Sequence, residues 1–73
     1  LHLMKPLLFI PHAEKRRRQR GYTTHDIEQA INSPFQRKKR DDNRIEITSI
    51  INNRTITVIY EEEQNYLRII TVI

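Results

Sequence analysis

The sequence predicts an α+β fold in which two N-terminal helices pack on a three- to four-stranded antiparallel sheet. Three observations carry that expectation. A strongly basic run, His12 to Arg20, is bracketed by Pro11 and by the chain's single glycine, Gly21. Next comes a capped segment in which Ile27, Ala30 and Ile31 fall at i, i+3 and i+4, a stripe that faces a core. From Phe35 onward the pattern changes to short apolar and alternating runs separated by polar clusters, the signature of strands and turns.

Leu7 to Ile10 reads as a short strand or an extended lead closed by Pro11. Proline suits the first turn of a helix, where its missing N–H costs nothing. Helix one then runs from about residue 12 to Arg20, with Gly21 as its left-handed stop. Ala13 and the aliphatic stems of its basic side chains are all it can bury. Thr23-Thr24-His25-Asp26 fits a capping box with Thr23 as N-cap. Asn32-Ser33-Pro34 ends the second helix. Phe35 to Arg40 is a weak, charged edge-strand candidate. Arg44 to Ile51 and Arg54 to Glu61 are strands joined at Asn52-Asn53, residues that accept positive φ. Tyr66 to Ile73 is apolar on both faces, as expected of a central strand.

At 73 residues the chain forms a single domain over 1–73, with residues 1–6 a flexible or extraneous end and residues 1–3 set aside from function. There is no cysteine, which fits a reducing, cytoplasmic setting and removes disulfides and thiolate metal sites. His2, His12 and His25 lack ligand spacing, so neither a metal nor another cofactor is expected. The apolar stretch before Pro11 is far too short to span a bilayer, so no membrane association is expected. Residues 1–43 hold ten Lys and Arg against five Asp and Glu, whereas the rest of the chain is nearly balanced. The basic excess sits at residues 15–20 and at Arg37-Lys38-Lys39-Arg40, which suggests a polyanionic partner, most simply nucleic acid, although an acidic protein partner would satisfy the same electrostatics.

On a helix, His12, Arg16 and Arg20 stack on one face, four residues apart. Two guanidiniums then lie in line with an imidazole, a group that can take up or give a proton. Those parts can hold a phosphodiester and move a proton beside it. A solvated basic face is the competing reading of the same residues.

The ten residues from His12 spell H-A-x-x-R-x-x-x-R-G, followed by a short helix ending near "EQAI", an Asn-Ser-Pro break and strands closing on "TV". This order resembles a small domain-of-unknown-function family that is itself similar to RelE-like and BrnT-like ribonuclease toxins of prokaryotic toxin–antitoxin pairs. The resemblance spans about residues 7–73. It implies a RelE-like, barnase-like small ribonuclease architecture and metal-independent endoribonuclease activity. It also implies a cognate antitoxin protein as partner. Its signature positions fall on His12, Arg16, Arg20 and Gly21, with Thr71 near the end of the last strand. Arg17 stands where the family usually has an apolar residue, which is expected to weaken helix-one packing. Tyr22 stands where it usually has isoleucine.

RNA cleavage of this kind needs a base for the ribose 2′-hydroxyl, an acid for the leaving oxygen, and cations for the charge growing on phosphate. His12 is the candidate for proton transfer in either direction, with Arg16 and Arg20 as a phosphate clamp. Tyr60 is a candidate second proton donor if its sheet face turns toward helix one, and otherwise a core aromatic. Thr71 either bonds a phosphate oxygen or fills a strand position. Tyr22 is a candidate for base stacking. Arg17, Arg18 and the Arg37, Lys38, Lys39, Arg40 tract are candidates for nucleic-acid contact, the tract serving no chemical step. A non-catalytic nucleic-acid-binding module and a protein-interaction domain remain the alternatives. The exposed sheet edges also leave room for a homodimer.

Overall fold

The computed structural model describes residues 4–73, so residues 1–3, including His2, lie outside the described part. The elements are β1 (Leu7–Phe9), α1 (Pro11–Arg20), α2 (Thr24–Asn32), β2 (Gln36–Lys39), β3 (Arg44–Ile51), β4 (Arg54–Glu62) and β5 (Leu67–Val72). They form an α+β domain in which the strands make one five-stranded sheet, ordered β1-β5-β4-β3-β2. β2 to β5 are the expected antiparallel meander. The sheet is nevertheless mixed rather than antiparallel, and it exceeds the three to four strands expected. Of the two readings of Leu7 to Ile10, the short strand holds, and it pairs parallel with β5, Leu7 opposite Leu67 and Phe9 opposite Ile69. Among the described residues, no helix is long and apolar enough to cross a membrane.

Local chemistry sets the helix ends. Pro11 opens α1, and Gly21 closes it in the left-handed region at φ 79°. There the Tyr22 N–H donates to the Arg17 carbonyl and the Gly21 N–H to that of Arg18. Thr23 caps α2 with both halves of a capping box. Its hydroxyl accepts from the Asp26 N–H at 3.0 Å, and the Asp26 carboxylate accepts from the Thr23 N–H at 2.9 Å. Asn52 and Asn53 both take positive φ, which gives β3 and β4 the tight hairpin expected of them.

Helix α1 packs on β5 and β1, and α2 packs on β3 and β4. Ala13 from α1 and Ile27, Ala30 and Ile31 from α2 are buried against inward residues of the three central strands. Ile27, Ile47, Ile56 and Ile69 are fully enclosed, and burying each stabilises the fold by about 2 kcal/mol.

One irregularity in β5 positions the site. Tyr60 pairs with Ile69, yet the preceding residue, Ile59, pairs with Thr71, so Ile70 is an extra residue on β5. Such a bulge re-aims the side chains that follow it. Burial records the result: Leu67, Ile69 and Val72 are buried, whereas Ile70 and Thr71 are consecutively half-exposed. Strict alternation would have turned Thr71 inward beside Ile69. The bulge turns it out of the core.

Candidate functional site

The parallel pairing of β1 ends at Phe9, opposite Ile69, and the chain turns directly into α1. The first turn of α1 therefore starts beside the stretch of β5 that carries the bulge. His12 Nε2 and Thr71 Oγ1 lie 3.1 Å apart there, although 59 residues separate them in sequence. Threonine can donate or accept, so its hydroxyl holds the ring in either tautomer. No partner meets Nδ1 among the described residues. A shallow depression of about 270 Å³ is lined by His12, Lys15, Arg16 and Gln19. The helical repeat explains this lining, since Lys15, Arg16 and Gln19 lie three, four and seven residues beyond His12.

Arg16 is half-buried, and Arg20 is exposed one turn further along the helix. Neither meets a carboxylate among the described residues. The one acid of α1, Glu14, is occupied by two other arginines. Arg17 donates to it twice, at 3.0 and 2.8 Å, and Arg18 once, at 2.9 Å. These hydrogen bonds, chiefly from Arg17, hold the Glu14 carboxyl down to about 2 against the opposing effect of partial desolvation.

Arg17 thus differs from its neighbours. It also donates to the Tyr22 carbonyl at 2.6 Å, and its guanidinium lies 5.7 Å from the centroid of Phe9. Its side chain is only 15% exposed. The expected loss of helix packing at Arg17 does not occur, because the guanidinium ties α1 to the following turn and to β1. Its donors and its stacking face are largely engaged within the fold, which sets it apart from the open cations. Arg18 is exposed despite its bond to Glu14.

Tyr22 is 5% exposed, and the Arg54 guanidinium covers its ring at 4.5 Å from the centroid. The ring is a platform for an arginine, which occupies the surface that a base would need. Tyr60 is also 5% exposed. It pairs with Ile45 and Ile69 on the core side of the sheet, beside a depression that Met4, Ile31 and Leu67 also line. The bulge turns Thr71 away from that side, so Tyr60 is not brought to His12.

Arg37, Lys38, Lys39 and Arg40 line the fully exposed edge at β2. β2 lies three places from β5 in the sheet order, which is about 14 Å at the usual strand spacing. Arg40 pairs with Glu46 at 3.1 Å, leaving the three residues before it as the open cations of this edge. The two basic stretches stand on different elements, α1 and the β2 edge. Arg54, which follows the Asn52-Asn53 turn, is a basic residue that sequence reasoning missed. Its alternating strand context gives no sign that it meets the end of α1.

The family described as Domain of unknown function (DUF4258) has a model that matches residues 9–73, and the chain belongs to that family. No curated protein and no solved structure matches the chain.

Proposed function

We propose that this member of the DUF4258 family is a metal-independent endoribonuclease of the toxin type, similar to RelE-like and BrnT-like proteins. One observation carries the reading. The fold brings His12 and Thr71 to 3.1 Å across nearly the whole chain and uses a bulge to do so. A phosphate-binding patch alone has no use for an imidazole fixed at one nitrogen.

In this reading Thr71 orients the ring through Nε2, leaving Nδ1 to exchange protons with substrate. Nδ1 takes the proton from a ribose 2′-hydroxyl as that oxygen attacks the adjacent phosphorus. The P–O5′ bond breaks, and the leaving oxygen takes a proton from solvent or from the charged imidazolium. Arg16, on the same depression, stabilises the negative charge that grows on the phosphate oxygens, and Arg20 holds the next part of the strand. Thr71 is a positioning residue. Removing it costs activity through the ring's orientation. A cognate antitoxin protein would silence the site by covering the basic face of α1.

The test is cleavage of total RNA in EDTA by the parent and by His12→Ala. Cleavage by the parent that is lost in the variant supports the reading. Cleavage that persists in His12→Ala sinks it. RNA bound but left intact, with ribosomes present or absent, would favour the non-catalytic binding module. The open cations of the β2 edge suit such a module equally well.

A further inference from the structure

Arg54 is exposed, yet its guanidinium carbon lies over the Tyr22 ring, 4.5 Å from the centroid. Its Nη1 also reaches within 4.0 Å of where a side chain on Gly21 would begin. The residue before Gly21 is Arg20, so two arginines belong to the junction at the end of α1. No carboxylate pairs with either among the described residues. Glu14 is taken by Arg17 and Arg18, and the Asp26 carboxylate accepts from the Thr23 N–H. Cations of one junction that lack an acid leave room for an anion to join them. The Arg54 guanidinium makes no hydrogen bond to a protein group among the described residues, so its donors are free for an anion, and a guanidinium's N–H fork can bind phosphate bidentately.

We infer that Arg54 is a phosphate-binding residue that extends the His12, Arg16, Arg20 row, and that the row takes single-stranded RNA. This rests on the ribonuclease reading for the row itself and goes beyond it in assigning Arg54 and the form of the substrate. Four residues of helix rise about 6 Å, so His12 to Arg20 spans about 12 Å. Arg54 lengthens the line past Gly21 onto the β3–β4 hairpin. Cations about one helical turn apart, about 6 Å, match the spacing at which an extended strand presents one phosphate after another. Tyr22 is the positioning residue whose ring holds the Arg54 guanidinium at this junction.

The test is binding of a fluorescent oligouridylate across a salt series by the parent, Arg54→Ala, Arg54→Lys and Lys5→Ala. Lys5 pairs with Glu62, away from the row, and serves as the control for net charge. Arg54→Ala is expected to bind on the order of tenfold more weakly and to lower the salt slope by about 0.7, the contribution of one single-strand phosphate contact. Arg54→Lys keeps the slope but binds more weakly than the parent, because the fork and its stacking are gone. A duplex of the same length is expected to bind the parent less tightly, and equal binding overturns the single-strand assignment. Parent-like affinity and slope in Arg54→Ala overturn the role of Arg54 while leaving the ribonuclease reading intact. An equal loss in Lys5→Ala reduces the effect to net charge and overturns it too. Failure of the parent to bind RNA at all removes the ribonuclease reading, and this inference with it.

Discussion

Replacing Gly21 by alanine tests the junction on which both the helix end and the placement of Arg54 depend. Gly21 sits at φ 79° and ψ 23°. A side chain there meets no steric obstacle, since the nearest atom is Arg54 Nη1 at an ordinary 4.0 Å. The cost is therefore backbone strain alone. Forcing an L-residue into the left-handed region costs roughly 1–2 kcal/mol. The lower entropy of the unfolded alanine chain returns about 0.4–1 kcal/mol where the conformation is compatible, and no more than that here. The net loss is about 1 kcal/mol, which for a domain of this size lowers the melting temperature by about 4–8 °C. Thermal melts followed by far-ultraviolet circular dichroism measure it directly. Gly21→Asn is expected to fall between the two, because asparagine enters the left-handed region more readily. An alanine variant melting at or above the parent would refute the left-handed cap and the junction built on it.

Other substitutions separate structural from functional cations. Arg17→Met is expected to lower the melting temperature more than Arg16→Met does, whereas Arg16→Met is expected to lose more RNA cleavage. The reverse ranking would exchange their roles. Thr23→Ala removes one half of the capping box and is expected to cost about 1 kcal/mol in denaturant unfolding. Ser49 is 3% exposed and donates to the Ser33 carbonyl at 3.1 Å. Its change to alanine removes that bond and is expected to cost about 1 kcal/mol. The pH dependence has a defined sign. Because Glu14 is held at about 2 when folded, its contribution is complete above the ordinary value of 4.5 and is lost as pH falls toward 2. Glu14→Gln should therefore flatten the fall in stability across that interval, and an unchanged acid limb would show that the Arg17 bonds do not form in solution.

The legible parts of the fold are those written in neighbouring residues. Pro11, Gly21, the Thr23–Asp26 box and the Asn52-Asn53 turn each act within a few positions, and each forms as its local chemistry requires. What escaped the sequence depends on partners far along the chain. Leu7 to Ile10 is legible as a short strand or extended lead, but its parallel partner, Leu67–Ile69, has no hairpin to announce it. The run Leu67 to Val72 is apolar on both sides, so nothing in it marks Ile70 as the extra residue. For the same reason the direction of Thr71 could not be derived from alternation. The meeting of Thr71 with His12 emerges only once β1 ends and α1 begins beside that strand. Arg17 misleads in another way. A charge in an apolar position reads as a packing defect until Glu14, the Tyr22 carbonyl and Phe9 are seen around it.

The decisive measurement is the chemistry of the ends left on a cleaved RNA substrate in EDTA, compared with the same substrate carrying a 2′-deoxy residue at the cleavage position. Attack by a 2′-hydroxyl that His12 deprotonates must leave a 2′,3′-cyclic phosphate and a 5′-hydroxyl, and the deoxy substrate must remain whole. A 5′-phosphate end, or cleavage of the deoxy substrate, would mean that water attacks instead and that His12 and Thr71 are not placed for the reaction described.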